Sequence, residues 1–506
     1  MTASLEKADG DENISTTVAD HAVVTIQQTR RGLSPRHVQL MTIAGGIGVG
    51  LFVGVGGVLS KAGPLPLIIG YLIYGLGFIW PTMLNVAEMV AWLPIRGSIY
   101  ELASRFVDPA LGFAMGWTYF YAGAMLVCTE YSAVATVMQY WNTDINPAVW
   151  IAIALCVCYF MNMVAVRWYG EAEFVMGSTK ILLILGLIMA TFVTMVGGNP
   201  HHDAYGFRNW KNGDMAHEYY AEGATGIFLS ICICVRYAVF TIGGPDIISL
   251  SAGEIRNPRK TIPKVAKLIV GRILFFYVVG IIAVAQDGQA PKIFLRCTKS
   301  GVPWVCVTAV TAISLLSFLV ASNSASEVFS WFLDLTTVAL VVNFTAMTWV
   351  FIGWRRALKA QGITRQGENN FERSLFKRNS DKQPAPGIVF PFTAPCASWT
   401  PYLCLFIGGS TSIFIGFDIF QPWSLKGFIT SYFGLAWFFF MFIFWKVFKR
   451  TKFVTPATVD IFAEGKKQAV DEECRFWEER FGDEAERDAL AKKHFVVRTW
   501  ARFWSG

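Results

Sequence analysis

Gly45–Gly57 reads GGIGVGLFVGVGG and Val239–Glu254 reads VFTIGGPDIISLSAGE. Each lies in an apolar run long enough to cross a bilayer, and each is a poor uninterrupted helix. Seven glycines in the first stretch weaken a helix by roughly 1 kcal/mol apiece relative to alanine. One reading is small-residue packing against a neighbouring helix. The other is a helix broken at mid-membrane, whose freed N–H groups hold an anion. A dinucleotide loop, loosely suggested by Gly48, Gly50 and Gly54, is rejected because no strand precedes it and it sits inside a membrane span. In the second stretch Gly243, Gly244 and Pro245 interrupt the run. Proline removes a donor and clashes with the preceding turn, leaving a carbonyl free. The two interrupted spans are the first and the sixth, five apart, as an inverted repeat of five helices would give. That pairing favours the broken helix in both. Free N–H groups on one and free carbonyls on the other suit the two ends of a zwitterion.

Working outward, the 506 residues are 54% hydrophobic and 16% charged, against about a quarter charged in a soluble protein. The 45 Gly, 41 Phe and 18 Trp fit a helical membrane protein. A net charge of +7 does not point to nucleic acid, because the Lys and Arg residues cluster between apolar spans as in cytoplasmic loops. Eleven runs meet the length of about 20 residues that a crossing needs: 39–60, 65–93, 110–138, 147–166, 173–196, 225–251, 268–286, 303–322, 328–354, 399–419 and 426–447. A polar N-terminal tail, 1–36, ends in Arg30, Arg31 and Arg36 and is expected in the cytoplasm, with no cleavable signal before the first span. Of the ten cysteines, Cys128, Cys156, Cys158, Cys232, Cys234, Cys306 and Cys404 lie in or beside apolar runs. There a thiol packs as a small hydrophobe, and no metal-ligand spacing stands out.

Four blocks then carry a resemblance. They are AGGIGVGLFVGVG in the first span, EMVAWLPIRGSIYELASRFVDPALGFAMGWTYFY (Glu88–Tyr121), SAGEIRNPRKTIPK (Ser251–Lys264) and DGQAPKIFLRCTKSGVP (Asp287–Pro303). VFSWFLDLTTV and RRALKAQGI look like the family's tenth helix and its exit. The chain resembles fungal amino acid permeases of the amino acid–polyamine–organocation superfamily over about Arg31 to Asp460. The resemblance implies an all-α polytopic membrane protein with the inverted five-helix-repeat (LeuT-like) transporter fold. It also implies proton-coupled uptake of amino acids across the plasma membrane. The substrate carboxylate would meet the backbone at Gly46, Ile47, Gly48, Val49 and Gly50, and the ammonium the carbonyls near Phe240, Thr241 and Ile242, with Gly243, Gly244 and Asp246 completing the break. Lys180 matches the family's intramembrane lysine and is the expected proton-coupling group, a buried Lys being costly and readily deprotonated. Its alternative is snorkelling to the interface. Glu130 matches a family acid that either lines the substrate path or pairs with a neighbouring helix. Asp246 stands where Glu is usual, and Val49 where Thr is usual. Arg236 occupies an unexpected place for a cation: it would favour an acidic substrate side chain, or reach water at the outer end.

One departure concerns topology. Leu274–Gln286 runs straight into Asp287, so the family's outer loop and eighth helix, about sixty residues, are missing and about 11 spans remain instead of 12. Residue charge gives the same warning without the family. The loop with Arg256, Arg259, Lys260, Lys264 and Lys267 and the loop with Lys292, Arg296 and Lys299 are both basic, yet one apolar run separates them. The positive-inside preference cannot be met by both. Either that run, marginal in length, fails to cross, or the chain inverts beyond it and the tail lies outside. The expected organisation is 1–36 N-terminal tail, 37–448 permease domain with a junction at about 286/287 and an insert at about 366–388, and 449–506 C-terminal tail. An incorrect gene model or splice variant is the favoured origin, with transport impaired.

FVVRTWARFW near the C-terminus spaces Val497, Trp500 and Trp504 on one helical face, suited to an anionic membrane surface, though a frayed tail fits equally. Partners implied are an amino acid, protons, the bilayer and ubiquitin ligase machinery acting on tail lysines; no cofactor is implied. A transporter-like amino acid sensor is the rival reading, against which the 36-residue polar start argues, since such sensors tend to carry a long N-terminal extension. No paired carboxylates or nucleophile constellation suggests an enzyme.

Overall fold

The computed structural model describes residues 55–94, 98–141, 144–164, 215–242, 304–363, 392–420 and 422–461, with scattered positions between 179 and 204 and at 262 and 390. Among them every element is helical, apart from a single bridge between Phe420 and Trp423. In chain order these are α1 (Val55–Ala62), α2 (Pro64–Tyr74), a π-helical turn (Gly75–Ile79), α3 (Trp80–Trp92), α4 (Ser98–Phe106), α5 (Pro109–Trp141) and α6 (Pro147–Val164). There follow α7 (Gly223–Thr241), α8 (Trp304–Ser314) with a 3-10 turn (Leu315–Ala321), α9 (Ala325–Ala360), α10 (Thr400–Phe414) with a 3-10 turn (Phe417–Ile419), and α11 (Leu425–Lys449). Six stretches are long and apolar enough to cross a membrane: Pro64–Trp92, α5, α7, α9, Thr400–Ile419 and α11. α6 and α8 supply two shorter apolar helices. All eight fall on runs expected from sequence, with ends shifted by a few residues except where α7 stops at Thr241. The seventh run, the 286/287 junction, the 366–388 insert, the 1–36 tail and FVVRTWARFW lie outside the described residues.

Two long helices make the core. In α5 and α9 the most apolar window is 83% buried, against 17% in α11, whose Phe439, Phe440, Ile443, Phe444 and Val447 stay exposed. An apolar face left open on a span is one for lipid. The helices approach closely where side chains are small. A Cβ on Gly434 of α11 would lie 2.9 Å from the Ala339 backbone nitrogen of α9. One on Gly70 of α2 would lie 2.7 Å from Cys234 Cβ and 2.9 Å from Val235 N of α7. Backbone atoms cannot swing aside, so Gly70→Ala is expected to push α2 and α7 apart at a cost of about 1–3 kcal/mol. A lowered unfolding midpoint in detergent checks this, and an unchanged midpoint would show the two helices free to separate.

The ends of the bundle differ in charge. α5 runs antiparallel to α9, since Gly353 packs on Phe106 and Val107 just before α5 begins. One end therefore gathers Arg105, Arg355, Arg356, Lys359, Lys446, Lys449, Arg450 and Lys452 against Glu88, Glu101, Asp108 and Asp460; the other gathers Asp144, Glu218, Glu222, Glu327 and Asp418 against Lys61 and Lys426. At the basic end the chain after α11 folds back. Val454 N donates to Val107 O (2.8 Å), Gln361 Nε2 to Val459 O (2.6 Å), and Arg105 lies 3.9 Å from Asp460. Asp108, fully buried, caps α5 by accepting from Ala110 N (2.8 Å), receives the Thr451 hydroxyl (2.8 Å) and pairs with Lys446. Residues 451–461 thus lie at the end that holds the connection from α3 to α5, not at the opposite one. The alternative in which everything beyond 287 is turned over does not fit this packing.

Candidate functional site

α7 ends where the sequence places the sixth-span break. Its last helical residue is Thr241, and Ile242 leaves the helix at φ −112°, ψ 89° with its N–H still bonded to Ala238 O. The carbonyls that follow Ala238, those of Val239, Phe240 and Thr241, have passed the last intrahelical donor and need partners elsewhere. Phe240 and Thr241 are buried and Ile242 is partly so. Thr241 Oγ1 sits 2.9 Å from the Tyr71 hydroxyl of α2, and also approaches the carbonyls of Tyr237 and Ala238.

Opposite this end lies a feature that hydropathy could not reveal. The span Pro64–Trp92 is not α-helical throughout: Gly75–Ile79 forms one π turn, and Gly75 faces the Ile242 side chain. Single π turns inside α-helices recur at functional positions. The residues of interest around the helix end are therefore Tyr71, Gly75, Phe240, Thr241 and Ile242. Of these, Tyr71 and Gly75 were missed from sequence; the closely spaced Gly75 and Gly77 were the available signal. Two buried amides were also missed, Asn85 on α3 and Asn343 on α9, neither of which has a hydrogen-bond partner among the described residues. An unpaired buried polar group costs about 1–3 kcal/mol, a cost that water or a polar solute would relieve.

The remaining site residues divide. Gly46, Ile47, Gly48, Val49, Gly50, Lys180, Gly243, Gly244 and Asp246 lie outside the described residues. Glu130 is half-buried on α5, within electrostatic reach of Cys158 on α6. Arg236 takes neither of its expected roles. Its guanidinium, only 13% exposed, holds Asp334 Oδ1 of α9 at 2.6 Å through Nη2 and Asp418 Oδ1 at 2.9 Å through Nη1. Its charge is thus matched by two carboxylates of this chain. Asp418 also accepts from the Tyr219 hydroxyl (3.2 Å). Burial, and after it the Asp418 charge, pushes the Tyr219 phenol up to about 12, so it keeps its proton and donates.

Comparison with known proteins bears on this arrangement. The amino acid permease family profile matches residues 37–285 and 281–367, together well over half of the chain. The chain belongs to the amino acid permease family. The permease is 32% identical to a proline-specific permease of Emericella nidulans, over 88% of this chain and 90% of that protein. It is 31% identical to a proline-specific permease of Saccharomyces cerevisiae (83% and 76%) and 29% identical to a dicarboxylic amino acid permease of the same yeast (86% and 79%). The Emericella alignment runs over 520 positions, of which 88% of a 506-residue chain supplies about 445; about 75 positions of the relative therefore face no residue here. The family and its apolar helices make this a multi-pass membrane protein of amino acid transport.

Proposed function

We propose that this chain descends from a proton-coupled amino acid uptake system of the plasma membrane, and that it works poorly as it stands because its eighth helix is absent. The observation that carries the transport reading is the stop of α7 at Thr241, whose last carbonyls have no donor within the helix, beside a π turn. In an inverted-repeat transporter such a half-helix end receives the substrate ammonium, and the glycine-rich stretch 45–57 supplies N–H groups to the carboxylate. Gly46–Gly50 and Phe240–Gly244, with Asp246 and Glu130 near by, are the proposed substrate shell, and Lys180 the proposed proton carrier. The basic end is assigned to the cytoplasm by the positive-inside preference.

The absent helix rests on direction. α7 runs toward the basic end, and α8 starts there, since α9 begins at the acidic end and α8 with its 3-10 turn leads up to it. A chain that completes the crossing begun by α7 and returns to the start of α8 on that same side needs an even number of further crossings, and the single apolar run 268–286 offers one. The family match, broken into two segments at 281–285, supports the same junction.

The test is uptake into a permease-deficient yeast from a panel of labelled amino acids at imposed outer pH, with proline first because two relatives carry that name. Uptake of one class, faster at acid pH and abolished by an uncoupler, is expected once the missing segment is supplied. Ligand-induced signalling without accumulation would favour the sensor instead.

A further inference from the structure

The ion cluster around Arg236 binds four separate pieces of chain. Arg236 belongs to α7, Asp334 to α9, Asp418 to the turn between α10 and α11, and Tyr219 to the segment that precedes α7. That segment is itself folded onto α7: Tyr219 N donates to Gly226 O (3.2 Å), and Ser230 donates to the carbonyl of His217. Tyr219 and Tyr220 both meet the ring of Phe417 edge-on. The carboxylates are 17% and 20% exposed, so water compensates little if the pairing is lost. Arg suits this task because its planar fork can hold two carboxylates on different edges at once.

Position gives the cluster its meaning. Arg236 lies five residues before the end of α7, about 7–8 Å along the axis at 1.5 Å per residue, on the side of the acidic end. Any path from that end to Phe240–Ile242 between α7 and α9 has to separate Arg236 from Asp334. Packed elements move as rigid bodies, and such pairs are made and broken as units.

We propose that Arg236 is the positioning residue of the half-helix α7, and that its pairing with Asp334 and Asp418 closes the substrate route at the acidic end of the bundle. The proposal rests on the transporter reading for what passes through the route, but not for the closure itself. Opening requires α7 to part from α9. Asp334 is the partner whose loss frees the helix, and Asp418 the one that ties it to the outer turn.

The test reads access without requiring transport. In sealed membranes, the full-length Ile242→Cys variant is treated with a membrane-impermeant maleimide, and modification is followed at that peptide by mass spectrometry. Modification is expected to be slow. Adding Arg236→Gln or Asp334→Asn should speed it at least tenfold, and adding Asp418→Asn should speed it less. Cys128 and Cys404, buried elsewhere, should stay unmodified, which separates opening from unfolding. The exchanged pair Arg236→Asp with Asp334→Arg, combined with Asp418→Asn so that no carboxylate faces the new Asp, should slow modification to the rate of Asp418→Asn alone. Equal rates in all variants overturn the proposal, as does a rise shared by Cys128 and Cys404 that the exchanged pair does not reverse. Protection of Ile242→Cys by added amino acid tests the transporter reading separately.

Discussion

Supplying the segment between the seventh and ninth helices of the Emericella relative at Gln286/Asp287 is expected to raise initial amino acid uptake at least tenfold over the chain as it stands. Three observations bear on this expectation, of which the first points to the junction itself. The family match restarts at 281 after running to 285. The alignment with the relative leaves about 75 of its positions unfilled here. α7 runs toward the end from which α8 starts. A transporter of two inverted repeats works by rocking one set of helices against another, and under the proposed reading a repeat short of a helix would lose part of its bearing surface. Initial rates in the same yeast host, normalised to surface protein, check the expectation. Equal uptake by both forms would show that the short chain is complete for transport.

Asp108→Ala is expected to be the most destabilising single change at the basic end, by about 3 kcal/mol. The carboxylate is fully buried and serves α5 as a cap while binding Lys446 and Thr451. Truncating one partner of a buried charge pair costs about 3–5 kcal/mol, and a lost cap about 1. The lower end applies because Lys446, 29% exposed, can turn to water and already lies over the Phe453 ring. Thr451→Val removes a single neutral hydrogen bond and should cost about 1 kcal/mol. Unfolding midpoints in a mild detergent rank the two, and a Thr451→Val loss as large as that of Asp108→Ala would mean that the ion pair contributes little.

How much was legible in the sequence depended on what each signal can see. Hydropathy located the spans because a run such as 426–447 needs no partner to be apolar, and the structure extends it only to Leu425–Lys449. Hydropathy alone runs on from α7 to 251 without marking where the helix ends, at Thr241; the residues after 242 lie outside those described. The break was readable only from Gly243-Gly244-Pro245, which report backbone chemistry rather than polarity. The π turn at Gly75–Ile79 left no periodic trace, being one residue of slippage in a stretch apolar on every side. Arg236 was misjudged for another reason. Its partners Asp334 and Asp418 lie far along the chain, and nothing local to α7 announces them. A cation in a span reads as unpaired until tertiary structure supplies the counter-charges.

The return of residues 451–461 onto the connection from α3 to α5 has a mechanical consequence. Peeling the last helix away from its C-terminal side would be the easy mode of failure for α11, the helix least buried in the bundle. With Val454 hydrogen-bonded to Val107 and Asp460 beside Arg105, traction on the tail is shunted past α11 into the start of α5, one of the two core helices. The weakest stave of the barrel is hooped by the chain that leaves it.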